Sequence, residues 1–167
     1  MKKAKKLLSV LAVMLLIVCM AVPVSAADKI SKSRATLLTG QTLQLKLSGT
    51  EGKTKWTSSK KSVATVSGSG KVTAKKSGSA TITAKVGKKK YTCKVTVESP
   101  KLSKKSLTLK VGKTSTIKVK GTKQTVKWKS SKKSVATVKN GKITAKKAGT
   151  ANITATILGK KFTCKVT

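Results

Sequence analysis

The stretch Lys55–Ala84, "KWTSSKKSVATVSGSGKVTAKKSGSATITA", returns as Lys127–Ala155, "KWKSSKKSVATVKNGKITAKKAGTANITA", one residue shorter where "SGSGK" (67–71) becomes "KNGK" (139–142). Working outward, Gly40 aligns with Gly112 and Gly49 with Gly121 at an offset of 72. "YTCKV" (91–95) aligns with "FTCKV" (162–166) at an offset of 71. After an N-terminal segment, the chain is thus one unit written twice, with nothing left over for a third domain.

Within each copy the apolar residues recur every second position, the mark of strands with one buried face. Leu43, Leu45 and Leu47 share a face against Gln44 and Lys46, as Ile117 and Val119 do against Lys118 and Lys120. Tyr91, Cys93, Val95 and Val97 point inward, with Thr92, Lys94 and Thr96 outward. Gly70, Gly78 and Gly87 fall between the runs, where turns are needed. Short strands between closely spaced turns predict an all-β chain of two tandem β-sandwiches, with six or seven strands in each and no helix after the N-terminal segment.

The motifs "W-x-S-S-x-x-S-V-A-T-V" (Trp56–Val66 and Trp128–Val138), "G-K-V-T-A-K-K-x-G-x-A-x-I-T-A" (from Gly70, and from Gly141 with Ile143 for Val) and "T-C-K-V-T" resemble the bacterial immunoglobulin-like domain of group 2, found in tandem on intimin- and invasin-type surface proteins. The resemblance implies an immunoglobulin-like sandwich in each copy. Two departures stand out. Leu38-Thr39 replaces what the second copy writes as Lys110-Val111, and the sequence ends one residue before the equivalent of Val97, so the second copy's last strand is expected to be short.

The N-terminus reads as a secretory signal: a basic start (Lys2, Lys3, Lys5, Lys6), an apolar run from Leu7 to Val22, and Val24-Ser25-Ala26 as a cleavage site, with cleavage after Ala27 the alternative. The run is shorter than the ~20 residues a comfortable membrane span needs, so an uncleaved anchor is the weaker reading. Val18 before Cys19 breaks a lipobox. The expected division is a signal peptide at 1–26 and repeats at 27–99 and 100–167. The mature protein is expected to be exported, with no membrane span, extracellular or held at the envelope.

Catalysis fails by inventory. The chain has no His, and its three acids, Asp28, Glu51 and Glu98, have no common spacing, so paired-carboxylate, His-based and triad chemistry all lack parts. Ser58-Ser-Lys-Lys61 and Ser130-Ser-Lys-Lys133 fit S-x-x-K, but that serine nucleophile motif opens a helix, and these lie between strands. Asn152-Ile-Thr154 fits a glycosylation pattern, for which the resemblance to a bacterial family implies no role. Trp56, Trp128, Tyr91 and Phe162 occupy equivalent places and are expected to fill the cores of units too small to do without large side chains. One cysteine per copy, Cys93 and Cys164, excludes an intradomain disulfide and gives too few ligands for zinc, so both are expected to be buried thiols. No cofactor is expected.

Charge is the remaining signal. Of +36 on the whole chain, removal of the four leader lysines leaves +32, nearly all of it lysine, since Arg34 is the only arginine. Lysine on exposed strands blocks edge-to-edge aggregation, but solubility would be served equally by acids. Their near absence points to an anionic partner, because unbalanced like charge destabilises a compact fold. No sorting signal or second apolar span is visible in the sequence, so charge is expected to be the retention device.

Three partners fit: teichoic acid or another acidic envelope polysaccharide, a sulfated or acidic host glycan, and nucleic acid. The last is expected only nonspecifically at low salt, because arginine for base reading and free aromatics for stacking are missing. The expected binding clusters are Lys60-Lys61 with Lys132-Lys133, Lys75-Lys76 with Lys146-Lys147, and Lys88-Lys89-Lys90 with Lys160-Lys161, at turns and repeated along a two-domain rod. Binding is then expected to be polyvalent. A passive spacer solubilised by its charge is the alternative.

Overall fold

Alternation becomes strand pairing throughout residues 28–167, the part of the chain described by the computed structural model. The expected signal peptide, 1–26, lies outside the described residues. The first copy runs β1 (Lys29–Ile30), β2 (Arg34–Leu38), β3 (Thr42–Gln44), β4 (Leu47–Ser48), β5 (Lys55–Ser58), β6 (Ala64–Val66), β7 (Lys71–Ala74), β8 (Gly78–Val86) and β9 (Lys89–Glu98). The second repeats the order as β10 (Lys101–Leu102), β11 (Ser106–Leu107), β12 (Thr114–Thr116), β13 (Val119–Lys120), β14 (Lys127–Ser130), β15 (Ala136–Lys139), β16 (Lys142–Ala145), β17 (Ala151–Ile157) and β18 (Lys160–Val166). The described residues contain no helix.

Each copy stacks two sheets. One has four strands in the order β2-β9-β8-β5, with β2 parallel to β9, and β11-β18-β17-β14 matches it. The other is built on β3-β7-β6 (β12-β16-β15), extended by the pair β1-β4 (β10-β13). Hydrogen bonding carries on through Leu45 and Lys46: Leu45 N donates to Gly70 O (3.0 Å) and Ser31 N to Lys46 O (2.8 Å). Hence β3 and β4 are halves of one strand, and β1 and β2 are halves of another that changes sheets between Ile30 and Arg34. Counted this way each copy has seven strands.

The two cores are written with matched residues. Leu45, Val72, Ile82, Cys93 and Val95 are fully buried in the first, and Ile117, Ile143, Ile153, Cys164 and Val166 in the second. Each residue is the repeat equivalent of the other, and each points inward from its strand as period two requires. Trp56 and Trp128 are half-buried against these cores. The Trp56 ring needs a glycine beneath it: Gly70 has φ +82°, and a Cβ there would meet the ring at 3.0 Å and Leu45 O at 2.5 Å. β18 has seven residues against ten in β9, but its hydrogen bonding continues, with Thr167 N donating to Leu107 O at 2.9 Å.

The copies meet end to end. Gln41 Nε2 donates to Leu158 O (2.8 Å) and Lys160 Nζ to Thr39 O (2.9 Å). Glu98 accepts from Thr122 Oγ1, from Gln124 Nε2 (3.3 Å) and from Lys123 N (3.4 Å), so one of the three acids ties the β9 terminus to the second copy. Leu38 is fully buried, although by alternation it points away from its own core, and Leu37 beside it belongs to that core. Its equivalent Lys110 is exposed, and Val111, equivalent to Thr39, is 57% exposed. The Leu38-Thr39 departure in the sequence therefore marks the end of the first copy that docks on the second.

Candidate functional site

The predicted lysine clusters are all exposed, and chain direction decides which of them meet. Lys75 N donates to Val63 O (2.7 Å) and Gly40 N to Ala74 O (2.9 Å), so Lys60, Lys61, Lys75 and Lys76 share one end of the first copy with the Thr39–Gln41 loop. That loop contacts the β17–β18 hairpin, which carries Lys160 and Lys161. Six predicted lysines thus gather around the junction. Lys88, Lys89 and Lys90, on the β8–β9 hairpin, lie at the opposite end of the first copy. By the same bonds in the second copy, Lys132, Lys133, Lys146 and Lys147 lie at its far end.

Two of these ammonium groups are already engaged. Lys160 is bonded to Thr39 O, and Lys89 Nζ lies 2.5 Å from Asp28 Oδ2 in the one ion pair among the described residues. Asp28 Oδ2 also accepts from Tyr91 OH at 2.6 Å. The hydrogen bond from Lys89, and next that from Tyr91, hold the Asp28 carboxyl below its usual range. The shared bond to Asp28 raises both donors. Tyr91 is half-buried with its hydroxyl spent on Asp28, and Phe162 lies half-buried in a depression with Pro100, Leu102 and Lys105. Cys93 and Cys164 are free and fully buried, and burial pushes both thiols up.

Register sets beside the predicted Lys90 two lysines that sequence reasoning missed. Lys55 on β5 lies opposite Lys85 on β8, which lies opposite Lys90 on β9, so three lysines stand abreast on adjacent strands of the open sheet face. The next outward row is Thr57, Thr83 and Thr92, and the row beyond it is Thr81, Lys94 and Arg34. The second copy breaks the first row with a threonine, as Lys127, Thr156 and Lys161. Half of the row was legible, because the two-residue turn Gly87-Lys88 pairs Lys85 with Lys90. The Lys55 pairing depends on a strand thirty residues away and had no local signal.

A shallow depression of about 750 Å³ lies at the open edge of the second copy between β14 and β15, where Lys127, Lys129 and Lys133 surround Trp128. The S-x-x-K serines have local work. Ser58 Oγ donates to Ala64 O (2.6 Å) and accepts from Lys60 N (3.3 Å), fastening the turn between β5 and β6, and Ser130 Oγ accepts from Lys132 N in the same place.

A family model described as bacterial Ig-like domain (group 2) matches residues 26–95 and again 96–166. Among solved structures, the chain is similar to a C-terminal 282-residue fragment of intimin in complex with the translocated intimin receptor's intimin-binding domain. Identity is 17% over 84% of this chain and 61% of that one, with a TM-score of 0.55. It is also similar to invasin, a bacterial integrin-binding protein, at 14% identity over 83% of this chain and 38% of that one, TM-score 0.56. The S-layer protein rSbsC(31-844) matches at 23% identity over 68% of this chain with a TM-score of 0.37, and this chain spans about a fifth of it, 19%. The intimin and invasin likenesses show the shared fold. No curated protein sequence matches.

Proposed function

This chain belongs to the bacterial Ig-like domain (group 2) family, and from that membership we propose that it is an exported, non-catalytic interaction module. Its two copies, 27–99 and 100–167, associate through lysine-rich faces with anionic polysaccharide of the cell envelope or of a host surface. The observation that carries this reading is the row Lys55, Lys85 and Lys90, set side by side with no acid among them. Like charges directly opposite on neighbouring strands are destabilising, and an anionic partner offsets that cost. The acids stand outside the row: Asp28 is tied to Lys89 and Tyr91 and lies with Glu51 beside the β8–β9 hairpin, at the same end of the copy as the row, and Glu98 is tied to the junction.

The similar intimin and invasin structures are of partner-binding proteins, which supports an interaction role for this chain without naming its ligand. Nucleic acid is the weaker reading, since one arginine and four aromatics, none laid out as a stacking platform, suit neither base reading nor stacking.

A salt titration of residues 27–167 on isolated cell walls, with and without their anionic polymers, and on duplex DNA tests the proposal. Wall binding that needs the anionic polymer and outlasts DNA binding near physiological salt is the expected result. Equal loss on every polyanion as salt rises would favour a passive spacer whose charge only solubilises it.

A further inference from the structure

We propose that Asn140-Gly141, the tip of the β15–β16 hairpin, is a site of self-modification, at which Asn140 cyclises on the following amide and hydrolyses to aspartate and isoaspartate. Both residues of this two-residue turn have positive φ, +50° and +82°, and Lys139 pairs with Lys142 across it. Asn140 is exposed. The glycine after it carries no side chain to obstruct the approach of its nitrogen to Asn140 Cγ.

The first copy shows what is particular to this turn. There the longer loop ties its glycine amide down, Gly70 N donating to Ser67 O at 3.0 Å. The equivalent Gly141 N donates to no backbone carbonyl among the described residues. The nucleophile is therefore engaged in one copy and unengaged in the other.

Charge favours the reaction. Gly141 N loses its proton to hydroxide before it attacks, and Lys139 and Lys142, exposed and directly opposed across the turn, stabilise the amide anion and draw hydroxide toward it. The N–Cγ bond forms as the Cγ–Nδ2 bond breaks, and Nδ2 leaves as ammonia with a proton from water. Water then opens the succinimide ring. Attack at Cγ restores the main chain and leaves aspartate at position 140, whereas attack at the main-chain carbonyl carbon routes the chain through Cγ as isoaspartate.

Either product sets a carboxylate in the shallow depression that Lys139, Asn140 and Lys142 share, and lowers the net charge by one. Aspartate keeps the left-handed conformation that Asn140 held. Isoaspartate adds a backbone atom to a turn whose glycine sits hard against Ile117 O and the Trp128 ring, so it displaces the ring. The charge of the second copy thus falls with the age of the molecule, while the first copy, which has no asparagine, keeps its own.

The test ages residues 27–167 at neutral and mildly alkaline pH, folded and in guanidinium, and follows them by cation exchange and by peptide mapping with mass spectrometry. A species that elutes earlier and is modified at Asn140 is expected in the folded protein, its rate rising with hydroxide and its isoaspartyl fraction showing altered Trp128 fluorescence. N140G, whose Gly-Gly pair forms the same turn, is expected to give no such species. Asn152, on the interior strand β17 and followed by β-branched Ile153, is the internal control and is expected to stay intact. Retention of Asn140 in the folded protein while the unfolded chain converts would overturn the site, since the turn would then shield the Gly141 amide. So would equal conversion of Asn152 in the folded protein, or an early-eluting species undiminished in N140G.

Discussion

Gln41 Nε2 donates to Leu158 O at 2.8 Å, a hydrogen bond that leaves the first copy and ends on the second. The same side chain accepts from Leu38 N through Oε1 at 2.8 Å, so one glutamine closes the β2–β3 turn and joins the two domains. Beside it Leu38 is shut away from solvent. Leu38→Lys, which copies the second repeat's Lys110, puts an unpaired charge into that seam. A cost of at least 3 kcal/mol is expected, and calorimetry should show the unfolding transition of the unaltered protein split in two. A single unshifted transition would mean that the seam contributes nothing.

Gly141→Ala tests the turn beneath Trp128. Gly141 has φ +82°, and an added Cβ would run into Ile117 O, with Trp128 at 3.3 Å. About 1–3 kcal/mol should be lost, with the quenching of Trp128 fluorescence altered and Trp56 unaffected. Melting followed with Trp56→Phe and Trp128→Phe backgrounds separates the two copies. Equal destabilisation of both would contradict their separate cores.

The Asp28 cluster gives the first copy a pH-dependent contribution to stability. The Asp28 carboxyl sits below its usual 3.8, so its stabilising effect is complete above that value and is lost as pH falls through the lower folded value. Lys89 is raised above 10.5, so its contribution is present below that pH and is lost as pH rises past it, and Tyr91, raised above 10.0, acts in the same direction. Asp28→Asn should lower the melting temperature at neutral pH and flatten both limbs of its pH profile. An unchanged acid limb would show that Asp28 contributes nothing to folding.

Both thiols are buried, and burial disfavours the thiolate that reacts. In residues 27–167, an aromatic disulfide reagent should find no fast-reacting thiol in the native protein and both Cys93 and Cys164 after guanidinium unfolding. Rapid labelling of either in the folded state would show that its sheet opens on the reagent's timescale.

How much of this was legible in the sequence follows from what period two encodes. Alternation states which face of a strand a residue takes, and it placed Cys93, Val95 and Val97 inward and Lys94 outward. The duplication, with matched glycines and tryptophans, established two copies and their family. The glycine beneath each tryptophan was visible as a turn, although its contact with the ring was not.

Tertiary structure alone decided the neighbours. Lys55 meets Lys85 through a hydrogen-bond register set by strands distant in sequence, and a slip of one residue would have turned every side chain to the other face. It also decided which lysine clusters share the junction, because the ends of a strand are assigned by chain direction within the sheet. The sequence by itself determined a lysine-covered tandem sandwich; the three-lysine row and the seam that buries Leu38 came from non-local pairing, which no local pattern of residues records.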